Sequence, residues 1–225
     1  MTKRTLPLVC DGHAVPAILW TPDADGPHPI VVAGHGFGQH KRALFPPSLP
    51  RELTARGFAL AAIDAPGHGD RQPDGGRDFR AVDAAWRAHW REHGASRIAR
   101  EYGALIDALA DLREIDVSRA GYWGLSLATQ YGLGVLAEEP RIRAAVLGLF
   151  GMAGPRMAHY APLAHWPVFF IQQLGDELHA ADSVRALFDA IGSADKTLRA
   201  SPGGHQDVPA TVFKAAYEWM AAKLS

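Results

Sequence analysis

Short apolar runs that alternate with longer amphipathic stretches constrain the fold of this chain more than any other feature. Pro29–Ala33, Phe58–Ile63, Ile142–Phe150 and Val168–Gln172 are apolar almost throughout, as expected of strands buried on both faces. Val15–Trp20, Ala120–Gly124 and Lys196–Ala200 read as further strands. Helices are expected over Leu49–Arg56, Phe79–His93, Leu127–Ala137, Ala180–Ile191 and Val208–Leu224. A further helix, capped by Ser96 and running to Glu114, carries Ile98, Tyr102, Leu105, Leu109 and Leu112 on one stripe. Strand and helix alternating in this way give an α/β architecture, a mostly parallel sheet with helices on both faces. No linker long enough to divide the chain interrupts the pattern, so one domain over residues 1–225 is expected.

Composition narrows the partners. The 23 basic and 24 acidic residues nearly cancel, which gives no reason to expect nucleic acid or an anionic membrane. Cys10 is the only cysteine, so no internal disulfide is possible. The 11 histidines show no metal-site spacing, and no metal or organic cofactor is expected. The N-terminal MTKRTLPLVCDGH lacks the apolar core of a signal peptide, and no apolar run approaches the ~20 residues of a membrane span. A cytoplasmic protein acting on a small molecule is the expectation.

The sharpest chemical signal is Gly121-Tyr-Trp-Gly124-Leu-Ser126-Leu-Ala128, where a strand runs through G-x-S-x-A into a helix. A serine on such a turn has strained backbone angles, and small residues two before and two after it keep the neighbouring backbone from clashing. The same residues also fit a serine that merely caps the following helix.

A serine hydroxyl needs an adjacent base, and the base needs a third group to fix its tautomer. Downstream of Ser126, Gly175-Asp176-Glu177-Leu178 follows a buried strand, and Ser201-Pro-Gly-Gly204-His205 follows the last one. Both lie at the carboxyl ends of strands, where ligands gather in open α/β sheets. Ser126, Asp176 and His205 are therefore the candidate catalytic residues. Glu177 and Asp182 remain alternative acids, and Asp176 also suits a simple turn. An oxyanion would be met by backbone N–H groups. The N–H of Leu127 and, from the glycine-rich stretch Gly34-His35-Gly36-Phe37-Gly38, the N–H of Phe37 are the candidates; His35 is expected to be structural.

The chain resembles the α/β-hydrolase superfamily, in particular its small dienelactone-hydrolase-like members. The resemblance is carried by His35-Gly36-Phe37-Gly38, Asp64-Ala65-Pro66-Gly67-His68-Gly69, Gly124-Leu125-Ser126-Leu127-Ala128, Gly175-Asp176-Glu177-Leu178 and Gly204-His205, and it spans Gly34 to His205. It implies an α/β-hydrolase fold, hydrolysis through an acyl-enzyme, and a structural role for the loop holding His68. Dienelactone hydrolases commonly use a cysteine nucleophile. Serine at the matching place points instead to a carboxylesterase acting on small esters, with thioesterase, lactonase or peptidase activity as the alternatives. A non-catalytic hydrolase-like binding protein is the reading from a different class, and the presence of every triad member weighs against it.

Residues 70–94 are expected to form a small cap, with Asp70–Gly76 turn-rich and Val82, Trp86 and Trp90 on one face of a helix. Trp86 and Trp90, with Met152 from the loop Gly151–Met157, are the candidate substrate-binding residues; an ordinary surface helix would use its tryptophans for packing alone. No long apolar insert is available for a lipid tunnel, so short acyl esters are expected to be preferred.

Overall fold

The computed structural model describes residues 1–72 and 78–225. Residues 73–77, part of the expected turn-rich stretch and cap, lie outside the described residues. Among the described residues the central sheet has eight strands: β1 (Thr2–Leu6), β2 (Ala17–Thr21), β3 (His28–Ala33), β4 (Ala59–Ile63), β5 (Ile115–Trp123), β6 (Ile142–Gly148), β7 (Val168–Gln173) and β8 (Lys196–Ser201). Their spatial order is β1-β2-β4-β3-β5-β6-β7-β8. β2 pairs antiparallel with both β1 and β4, and every pair from β4 to β8 is parallel.

Two apolar clusters, one on each face, hold the sheet. Alternation along β3 sends Ile30 and Val32 into one cluster and Val31 and Ala33 into the other. The first is closed by helices α2 (Phe79–His93), α3 (Ser96–Ala110), α4 (Leu127–Glu138), α5 (Gly154–Tyr160) and α6 (Ala181–Ala190). The second is closed by α1 (Leu49–Thr54) and α7 (Ala210–Lys223), through Leu49, Leu53, Phe213 and Met220. Burial on both faces is why the central strands lack polar alternation in sequence.

Several expectations shift. Ser96 is the first residue of α3 and not its cap; Ala95 holds that position, and Ser96 Oγ donates to Glu138 at 2.9 Å. That helix ends at Ala110, because Leu112–Glu114 turns into β5. β5 starts five residues earlier than its apolar part, at Ile115, and shifts register between Ala120 and Gly121. β1, the short antiparallel pair Val9–Cys10 with His13–Ala14, and α5 have no counterpart in the sequence reading. β1 is an exposed edge strand, and its Lys3 and Arg4 suit an edge that must not recruit another chain.

Candidate active site

Ser126 stands between β5 and α4 with φ 58° and ψ −122°. Left-handed backbone at a non-glycine residue costs on the order of 1–3 kcal/mol, so the surroundings must impose it. The Ser126 N–H donates to Gly148 O at 2.9 Å, and the Thr129 N–H donates to Ser126 O at 2.8 Å. Thr129 Oγ1 lies 2.8 Å from Gly124 O and accepts from the Gly148 N–H at 2.8 Å, tying both sides of the turn to β6. A Cβ on Gly124 would stand 2.5 Å from the Tyr122 ring and 2.6 Å from Ala128 O. The small residue two before the serine is therefore a steric requirement of this turn. Gly132 is bare for the same reason: its Cβ would meet the Tyr122 ring at 2.5 Å, so α4 lies directly on the sheet.

The three candidate catalytic residues, distant in sequence, meet at the carboxyl ends of β5, β7 and β8. Ser126 Oγ is 2.9 Å from His205 Nε2, and His205 Nδ1 is 2.8 Å from Asp176 Oδ2. With Nδ1–H donating to the carboxylate, Nε2 is left to accept the serine proton. The His205 side chain is 9% exposed and that of Asp176 is 0%, so little water competes for either bond. Asp176 also serves as the turn former: its Oδ1 accepts from the N–H groups of Leu178 at 2.8 Å and His179 at 3.1 Å. The two readings of Asp176 thus describe two oxygens of one carboxylate.

Glu177 takes a different place. Its Oε2 accepts from the backbone N–H of His205 at 2.8 Å, and that bond holds its carboxyl below the usual range. Asp182 sits in the first turn of α6. The loop carrying His205 is fixed further by Gly175 N–H to Gly203 O at 3.0 Å and Gly204 N–H to Asp207 Oδ2 at 2.9 Å. Gln173 anchors it from β7, with Oε1 accepting from Ser201 Oγ and Nε2 donating to Gly204 O at 3.2 Å.

Among the described residues, the N–H groups of Phe37 and Leu127 have no protein acceptor, and both residues border the space beside Ser126. Leu127 opens α4, where the helix N-terminus favours negative charge. The Phe37 loop is locked by His35, whose Nδ1 donates to Gly36 O at 2.9 Å and whose Nε2 accepts from Ala65 N–H at 2.9 Å. Complete burial pushes the His35 pKa down to about 4, so the ring is neutral. His68 is fully buried, with Nδ1 2.9 Å from Pro66 O and its ring edge-on to Phe37.

A cleft opens from Ser126 in two lobes. The larger, about 720 Å³, is walled by Phe37, Trp86, Trp90, Gln130, Phe150 and His179. The smaller, about 360 Å³, is walled by Phe45, Phe79, Leu125, Leu149, Leu178 and His205. Trp86 and Trp90 stack at 5.8 Å between centroids and both line the cleft, but Trp86 is also core, 5% exposed. Met152 does not line either lobe. Its N–H donates to Ser183 O at 3.0 Å and it packs against the core, leaving the wall there to Phe150 and Ala153. Sequence reasoning missed Phe79, Phe150, Leu178 and His179 as cleft residues. Of these, only Leu178 and His179 carried a signal, through their adjacency to Asp176.

No family model matches the chain. It is 32% identical to a cold-adapted esterase from an Arctic intertidal metagenomic library, whose PEG-bound structure superposes with a TM-score of 0.87 over 99% of this chain and 94% of that one. Over 143 residues it is 29% identical to the 2,6-dihydropseudooxynicotine hydrolase of Paenarthrobacter nicotinovorans, covering 62% of this chain and 33% of that protein. The chain thus spans about a third of the length of that curated relative. Acetyl xylan esterase 1 from Thermoanaerobacterium sp. JW/SL YS485 shares the fold, with a TM-score of 0.72 at 19% identity over 96% of this chain and 81% of that one. With the strand order, the strained serine turn and a full-length match to an esterase, the chain belongs to the α/β-hydrolase esterases.

Proposed function

We propose that the protein hydrolyses small carboxylic esters through an acyl-enzyme, with Ser126 as nucleophile, His205 as general base and acid, and Asp176 orienting His205. The observation that carries this reading is the unbroken relay of 2.9 Å and 2.8 Å from Ser126 Oγ through the imidazole to a buried carboxylate. Attack by Oγ on the ester carbonyl sends its proton to Nε2, and the imidazolium is stabilised by Asp176. The carbonyl oxygen, now an oxyanion, is received by the N–H groups of Phe37 and Leu127, each such donor contributing on the order of 3 kcal/mol. His205 then protonates the departing alkoxide. Water, deprotonated by the same nitrogen, releases the acid and restores the serine. Helix α2 forms one side of the cleft and acts as its cap. A cytoplasmic small-molecule enzyme needing no cofactor is the corresponding biological setting.

The test is Ser126→Ala on p-nitrophenyl butyrate together with fluorophosphonate labelling. Turnover is expected to fall by on the order of 10⁶ with the fold retained, and the label to be lost with it. Retention of a tenth of the activity would overturn the nucleophile.

A further inference from the structure

The two lobes meet at Ser126 and share Phe37, Ser126 and Leu178, but His205 borders only the smaller one. Leu127, one of the two oxyanion donors of the reading above, borders only the larger. This asymmetry decides which part of an ester goes where. In the tetrahedral intermediate the reacting carbon carries four substituents. One is Ser126 Oγ, and one is the oxyanion facing the Phe37 and Leu127 N–H groups. The remaining two are the leaving oxygen and the acyl chain. The C–O bond to the alcohol breaks only as its oxygen receives the proton that His205 Nε2 took from Ser126, so the leaving oxygen must sit on the histidine side.

We infer that the smaller lobe takes the leaving alcohol and the larger lobe the acyl group, so that among small esters the enzyme is selective for those joining a small alcohol to an aryl-bearing acid, in place of the short acyl chains expected from the sequence. The assignment rests on the acyl-enzyme reading and adds a substrate class to it. The chemistry of the walls agrees. The alcohol lobe is half the volume and is closed mainly by Phe45, Phe79, Leu125 and Leu149. The acyl lobe is walled by the rings of Phe37, Trp90 and Phe150 and the small exposed part of Trp86, aromatic surface suited to a planar aromatic group. Gln130 and His179 add polar atoms to the same lobe, and Asp83, Arg87 and Arg91 of α2 add charged ones. At about 720 Å³ the lobe has room for a fused aryl group.

Two isomeric esters test this directly. Methyl 2-naphthylacetate places the ring on the acid, and 2-naphthylmethyl acetate places it on the alcohol; both leave as unactivated primary alcohols. The methyl ester is expected to show the higher kcat/KM, by at least about tenfold, the scale on which pocket fit discriminates. Ala153→Trp, at an exposed position on the larger lobe, should cut kcat/KM for the methyl ester and so shrink the ratio. Phe79→Ala, which opens the smaller lobe, should shrink it by raising kcat/KM for the acetate. Equal or reversed preference in the unmodified enzyme overturns the assignment, as does hydrolysis of p-nitrophenyl acetate with neither naphthyl ester turned over. Loss of both naphthyl activities in Ser126→Ala keeps that failure separate from the mechanism; survival of either in Ser126→Ala strikes at the nucleophile itself.

Discussion

At the scale of single residues, adjacent carboxylates have separate tasks. Asp176 Oδ2 meets the imidazole, while Glu177 reaches past it to the backbone of the same histidine. Asp176→Asn keeps the size of the side chain but offers an amide that can impose the wrong imidazole tautomer, a change that costs ~10⁴ in rate in a serine protease. Glu177→Gln keeps an acceptor for the His205 N–H, so a loss of less than about tenfold in kcat is expected, the order of one neutral hydrogen bond. A greater loss in Glu177→Gln than in Asp176→Asn would reassign the acid. The positions of Ser126, Asp176 and His205 were legible because each lies where a strand ends among small residues, and that local chemistry survives in a linear sequence. Met152 misled because a loop beside the site has two sides. Whether a side chain faces the cleft or the core depends here on Ser183, which enters from α6.

At the scale of elements, what could be read depended on burial. The central strands β3, β4, β6 and β7 are apolar because both faces are covered, and their places in the sequence were evident. β1 pairs at exposed positions and the start of β5 at mostly half-buried polar ones, which leaves no hydrophobic period to read. The loops between elements depend on long-range polar bonds. Asp64, at the end of β4, is fully buried; it accepts from Lys41 Nζ at 2.5 Å, Lys41 N–H at 2.7 Å and Asp70 N–H at 2.8 Å. Arg71 closes the same region with two bonds to Glu101 of α3, at 2.7 and 2.9 Å. Sequence placed Asp64 in a structural loop but gave no hint that Lys41 was its partner. Asp64→Asn leaves a buried ammonium facing a neutral amide, with, among the described residues, only the exposed Asp70 carboxylate still opposite it. Such a change is expected to lower unfolding free energy by on the order of 3 kcal/mol in urea titration, since breaking a buried pair strands its partner. A loss under about 1 kcal/mol would mean that Asp70 and trapped water replace the lost charge.

At the scale of the whole molecule, several histidines are buried as neutral rings, and together they set how stability responds to acid. Burial pushes His35 and His89 down to about 4 and lowers His68 and His179 as well. Each of these folded-state values lies below the unfolded value of about 6.5, so the unfolded chain binds more protons in between. Their stabilisation is therefore complete above about pH 6.5 and is lost as pH falls from there towards about 4. Thermal unfolding should show a Tm that declines steadily across that window. His89 isolates the cause. Its ring stacks on Trp86 at 5.9 Å, and among the described residues its buried Nε2 has no hydrogen-bond partner. His89→Phe keeps an aromatic face against Trp86 while removing both the unpaired nitrogen and the titrating group. The variant should raise Tm at neutral pH, and its margin over the unmodified protein should widen as pH drops towards about 4, because only the unmodified chain gains that proton on unfolding. A margin that stays constant from pH 7 to pH 4 would show that His89 does not titrate with unfolding, and would leave the acid sensitivity to His35, His68 and His179.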